Sequence, residues 1–94
     1  MIIPKKLKIA GQIYDIILRD RNKNDGITAL GSEDYSWNKI WLNKNQCRQE
    51  LESTFLHEII EAINGLNKLD LNETQIRVFE TMLYQVLTDN KLLK

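Results

Sequence analysis

Three observations predict a small α+β domain: an antiparallel sheet of three or four strands followed by two packed helices. β-Forming residues in period-two alternation are concentrated before residue 45. After it, apolar residues recur at spacings of three and four. The chain has 94 residues, enough for one core in which folding buries only somewhat more than ~60% of the unfolded surface. Residues 1–94 therefore read as a single domain, with 1–44 as the sheet half and 45–94 as the helical half.

The elements follow in order. Leu7 and Ile9 alternate with Lys6 and Lys8, Ala10-Gly11 supplies a turn, and Ile13 to Leu18 is rich in strand formers, which together predict a hairpin. Arg19 to Gly26 is polar and ends in Asp-Gly, so it reads as a loop with a turn. A short strand is expected around Ile27 to Leu30, then a polar stretch from Gly31 to Ser36. Trp37 to Leu42 alternates again, with Ile40 and Leu42 on one face and Trp41 on the other, and ends at Asn43.

From about Gln46 to Asn64, the residues Leu51, Phe55, Leu56, Ile59, Ala62 and Ile63 fall in one arc of a helix, and Gly65 is placed to stop it in the left-handed conformation. Asn72 and Gln75 form a capping-box pair that opens a second helix, running to about Asp89-Asn90. Its apolar stripe is Ile76, Phe79, Leu83, Val86 and Leu87, with Glu73 and Glu80 along one margin. Trp37, Trp41 and Phe79 read as packing residues.

Composition excludes several function classes. Thirteen basic residues balance thirteen acidic ones, so no net charge draws the chain to nucleic acid or an anionic membrane. No apolar run approaches the ~18 residues of a membrane span. Only Met1-Ile2-Ile3 precedes Pro4 and Lys5-Lys6, too short for a signal sequence, and the single Cys47 cannot form an internal disulfide, so a reducing, cytoplasmic location is expected. Cys47 itself reads as a buried or half-buried structural thiol.

The chemistry centres on the only histidine, His57, within His57-Glu58-Ile59-Ile60-Glu61. This H-E-x-x-E is one residue away from the H-E-x-x-H of zinc peptidases, in which two histidines on one helical face hold the metal beside a glutamate base. His57 and Glu61 project from the same face, their Cβ atoms ~5–6 Å apart. A catalytic metal needs a third protein ligand and an open position. Glu73, returned by the short connection to the first turn of the next helix, is the best candidate, with Glu80 in reserve. Glu58, about 100° around the helix from His57, stands where a general base is needed. Against this, Glu58 and Glu61 also read as solvated helix carboxylates, and Glu73 as a first-turn acid favoured by the helix dipole.

The order of strands, Ile40-x-Leu42, a helix with Leu56-His57-Glu58 and a helix with Glu73 to Glu80 resembles a minimal gluzincin layout. It is similar to small phage-encoded zincin-like proteins and, remotely, to peptidases of the ImmA/IrrE type. In those an E-x-x-A-x-x-F-A stretch carries the downstream glutamate, and Glu73-Thr74-Gln75-Ile76-Arg77-Val78-Phe79-Glu80 has the same skeleton. The resemblance implies a metallopeptidase-like hydrolase of the host cytoplasm that holds a peptide or protein by backbone pairing along a sheet edge, here expected at Ile40 to Leu42.

The departure is Glu61 in place of the second histidine. One nitrogen and two anionic oxygens neutralise the ion and acidify its water less, which weakens catalysis. Zinc still accepts such oxygens, while Mn²⁺ and Fe²⁺ become more competitive. Two readings follow: a minimal zinc peptidase-like hydrolase in which Glu58 activates water held by the metal, or a catalytically weak, zincin-derived phage protein that acts by binding a host or phage protein. The oligomeric state is left open.

Overall fold

The computed structural model describes residues 1–20, 31–34 and 38–93. The expected loop over 21–26, the expected strand over 27–30 and Trp37 lie outside the described residues. Four strands, β1 (Lys6–Ile9), β2 (Gln12–Arg19), β3 (Gly31–Asp34) and β4 (Lys39–Asn43), precede two helices, α1 (Arg48–Asn67) and α2 (Glu73–Asp89). The α+β class is as the sequence predicts. None of the helices among the described residues is long and apolar enough to cross a membrane.

Strands β1 and β2 form the expected hairpin, with Ile9 opposite Gln12 across a two-residue turn. Both turn residues have positive φ, Ala10 at 51° and Gly11 at 77°. A two-residue hairpin needs that backbone to match the twist of its strands, and glycine supplies it without a Cβ penalty.

The sheet is mixed, in the order β1-β2-β4-β3, and corrects the antiparallel expectation. Strand β4 runs parallel to β2, with Ile16 beside Ile40 and Leu18 beside Leu42, while β3 takes the outer position antiparallel to β4. Period-two alternation says which side chains share a face, but it does not say in which direction a neighbour runs. Two expectations change with this order. The polar stretch from Gly31 includes a strand, because backbone pairing with β4 suffices to recruit it. Ile40–Leu42 lies inside the sheet, so the free edges among the described residues are β1 and β3.

The core forms where one face of the sheet meets α1. Ile9, Tyr14, Ile16, Ile40 and Leu42 from the strands pack with Leu51, Phe55 and Ala62 from the helix. On the other face, Ile17 pairs with Trp41 and the Arg19 guanidinium lies 4.2 Å from the centre of the Trp41 ring. Trp41 is thus half-buried by a cation–π contact rather than by the core.

Helix α1 continues through Gly65 to Asn67, which corrects the expected stop. The left-handed residue is Lys68, φ 51°, whose N–H reaches the Gly65 carbonyl while the Leu69 N–H reaches that of Asn64. The next four residues turn the chain, with Asp70 again left-handed at φ 60° and the Leu71 N–H donating to Asn64 Oδ1 at 2.9 Å. Asn72 then caps α2 as expected: its Oδ1 accepts from the Gln75 N–H, and Gln75 Oε1 accepts from the Asn72 N–H, both at 2.8 Å. Cys47 is exposed, not buried, and is the residue that precedes the first turn of α1.

Candidate metal centre

The two helices form an antiparallel hairpin whose facing surfaces are polar. Proceeding down α1 and up α2, His57 meets Glu73 and Glu80, Ser53 meets Glu80, and Glu52 meets Tyr84. Ile76 is the only buried residue of α2. The expected apolar stripe of α2 is split: Ile76 is buried and Leu87 half-buried, whereas Phe79, Leu83 and Val86 are exposed, together with Val78 and Met82.

His57 is held through Nδ1, and its Nε2 faces two carboxylates. Nδ1 lies 2.7 Å from Glu80 Oε1, and the other oxygen of Glu80 accepts from Ser53 Oγ at 2.5 Å. A carboxylate only accepts, so in the neutral imidazole this contact places the proton on Nδ1 and the lone pair on Nε2. Nε2 points to Glu73 Oε1 at 3.5 Å and to Glu61 Oε1 at 4.0 Å.

One ligand atom from each of His57, Glu61 and Glu73 lies within 4.8 Å of the other two, so the three could hold a metal ion. Two atoms each ~2.0–2.1 Å from a tetrahedral ion stand about 3.3 Å apart, close to the spacing of His57 Nε2 and Glu73 without rearrangement. A cation among them also offsets the repulsion of two converging carboxylates. Arg77 Nε, 3.6 Å from Glu73 Oε1 and well exposed, does so only from outside.

The sequence-predicted residues thus fall into three places. His57, Glu61 and Glu73 come together. Glu80, the reserve ligand, stands on the opposite edge of the imidazole, where it orients the ring. Glu58 is outside this group, only 6% exposed, on the stripe of α1 that carries Leu51, Phe55 and Ala62. A carboxylate at such a position is uncommon.

Ser53, Glu52 and Tyr84 were not singled out from sequence. Ser53 sits four residues before His57, and that spacing was the available signal. The Glu52 carboxylate, nearly buried, accepts from Tyr84 Oη at 2.7 Å and from Arg48 Nε at 3.2 Å. Burial raises the Glu52 pKa, but the bonds from Tyr84 and the N-terminal amine and the charge of Arg48 outweigh it, so the net shift is downward. Tyr84 is pushed up to about 12 by burial first and by its bond to Glu52 second.

No protein-family model matches this chain, and no curated protein or solved structure matches it.

Proposed function

We propose that the chain is a metal-dependent hydrolase of minimal zincin-like type, with His57, Glu61 and Glu73 as the metal ligands and Glu58 as the general base. The observation that carries this reading is the double-sided placement of His57: Nδ1 against Glu80, Nε2 toward two carboxylates. Zinc accepts an imidazole with two carboxylate oxygens, and the second carboxylate makes Mn²⁺ and Fe²⁺ competitors for the same set. Bound there, such an ion supplies Lewis acidity, which polarises a carbonyl and lowers the pKa of water.

The chain's own groups would divide the remaining work. Glu80 and Ser53 keep the imidazole in one tautomer and one orientation. Glu58 takes a proton at its carboxylate, which its position one residue from His57 brings to the same helix turn. An extended peptide would be held by main-chain pairing along β3, an edge strand among the described residues that also packs near α1.

Elemental analysis of protein purified without chelator tests the ligand set: stoichiometric metal in the wild type, lost in His57→Ala, supports it, and no metal in either sinks it. Glu58→Gln tests the base, with peptide hydrolysis expected to fall at least 100-fold while metal content is retained.

A second reading is favoured by the two anionic ligands and by the burial of Glu58: an ion-holding protein that binds a protein partner along the sheet edge without turnover. Wild-type protein that carries metal and hydrolyses no peptide would select it.

A further inference from the structure

Helix α2 is turned inside out. Its inner face carries Glu73, Glu80 and Tyr84 against α1, while Val78, Phe79, Met82, Leu83 and Val86 on its outer face are 42–55% exposed. Among the described elements α2 packs on α1 alone.

We infer that this outer face pairs with the same face of a second copy of the chain, as an antiparallel two-fold helix pair centred on Met82. Gln75, Phe79, Met82, Val86 and Asp89 are spaced four, three, four and three apart, the seam spacing of two packed helices. The outer face is partly symmetric about Met82. Val78 and Val86 lie four residues before and after Met82, and Gln75 and Asp89 lie seven before and after it, so an antiparallel copy places Val78 opposite the partner's Val86, Gln75 opposite its Asp89 and Phe79 opposite its Gln85. Each contact off the two-fold axis is made twice.

Orientation follows from the seam's ends. A parallel pair would set Asp89 against the Asp89 of the other copy, two like charges in contact. The antiparallel pair sets Asp89 against an amide: Gln75 uses its oxygen in the α2 cap, which leaves its NH₂ group to donate. Between these ends the outer face carries no charge, since Glu80 is turned inward to His57.

The area is sufficient. Five apolar side chains of this size, about half exposed, present on the order of 500 Å². Two such faces, fully covered, bury about 1,000 Å² in total, the lower bound for a specific interface. A monomer leaves those five side chains 42–55% exposed.

Sedimentation equilibrium of the full chain tests the pair, in EDTA so that metal bridging by the exposed Glu73 of two copies contributes nothing. The expected mass is twice 11.0 kDa, falling to the single-chain value in Met82→Glu, an exposed position where the fold should survive, as helical circular dichroism will report. Orientation is read by disulfide trapping in a Cys47→Ser background: a mixture of Val78→Cys and Val86→Cys chains cross-links to a heterodimer, and each alone does not. A wild-type monomer at hundreds of micromolar, a doubled mass that Met82→Glu leaves intact, or cross-linking of each cysteine variant with itself would each overturn the inference. The outcome is independent of the metal reading, because none of the seam residues belongs to the candidate centre.

Discussion

At the level of single residues, the orientation of one imidazole decides what the site can do. Glu80 contributes no ligand atom to the His57, Glu61, Glu73 group, yet its bond to Nδ1 determines which nitrogen faces that group. Carboxylates in this position raise imidazole basicity and fix its ring, and their loss commonly costs 10- to 100-fold in metal affinity. Glu80→Ala is therefore expected to weaken Zn²⁺ binding by that factor in a chelator competition, with Ser53→Ala producing a smaller loss. An affinity unchanged by Glu80→Ala would remove the orienting role. Of this constellation, His57 with Glu61 was legible because residues four apart share a helical face, and Glu73 because the connection was short enough to fold back. The roles of Glu80 and Ser53 were not, because both depend on the axial register of two helices, which their one-dimensional spacing leaves undetermined.

At the level of elements, hydrophobic periodicity identifies an apolar face but not what lies opposite it. Phe79, Leu83 and Val86 belong to the apolar stripe that periodicity picks out, yet they are exposed, because the polar partners Glu80 and Tyr84 occupy the side toward α1. The α2 start was legible to the residue, since the capping box is a local hydrogen-bond pattern written in Asn72 and Gln75. The α1 end was not. Glycine was expected at the left-handed stop, but Lys68 takes that conformation three residues later. Gly65 is thus a helix-interior residue, and Gly65→Ala should stabilise by about 0.5–1 kcal/mol in urea unfolding. A stop at Gly65 would give the opposite sign.

The helix pair also carries a pH dependence. Tyr84 has a folded pKa of about 12 against 10.0 for an ordinary phenol, so the folded state holds the proton more tightly. The stability this contributes is fully present below pH 10 and is lost as pH rises through about 12. Thermal unfolding of the wild type should therefore fall across that window, and Tyr84→Phe should flatten the decline while lowering stability at neutral pH, where Glu52 loses a donor. Glu52 acts in the opposite sense: its lowered pKa stabilises above the ordinary glutamate range, and that contribution disappears as pH falls through the folded value.

On the scale of the whole molecule, two parts differ in how they are held. The sheet and α1 share an apolar core, whereas among the described residues α2 is joined to that body through α1 alone, with one buried apolar residue and a row of hydrogen bonds. The class of fold was legible because strand and helix periods occupy separate halves of the chain. The mixed sheet order was not, because the β2–β4 pairing depends on contacts across some twenty residues of sequence. An ion held by His57 and Glu61 from α1 and by Glu73 from α2 would staple the less secured helix to the body. Binding to the folded state alone adds about 2.7 kcal/mol when free metal is 100 times the dissociation constant. For a domain of this size each kcal/mol moves Tm by roughly 4–8 °C, so Zn²⁺ or Mn²⁺ should raise Tm by roughly 10–20 °C. Glu73→Ala should abolish most of that rise and leave the metal-free Tm nearly unchanged, since Glu73 is 59% exposed and lies outside the core. A variant that lost stability equally with and without metal would assign Glu73 to the fold rather than to the ion. Retention of the full rise would place the third ligand elsewhere. The metal-free arm is what separates these cases, because only a ligand's contribution depends on the concentration of the ion.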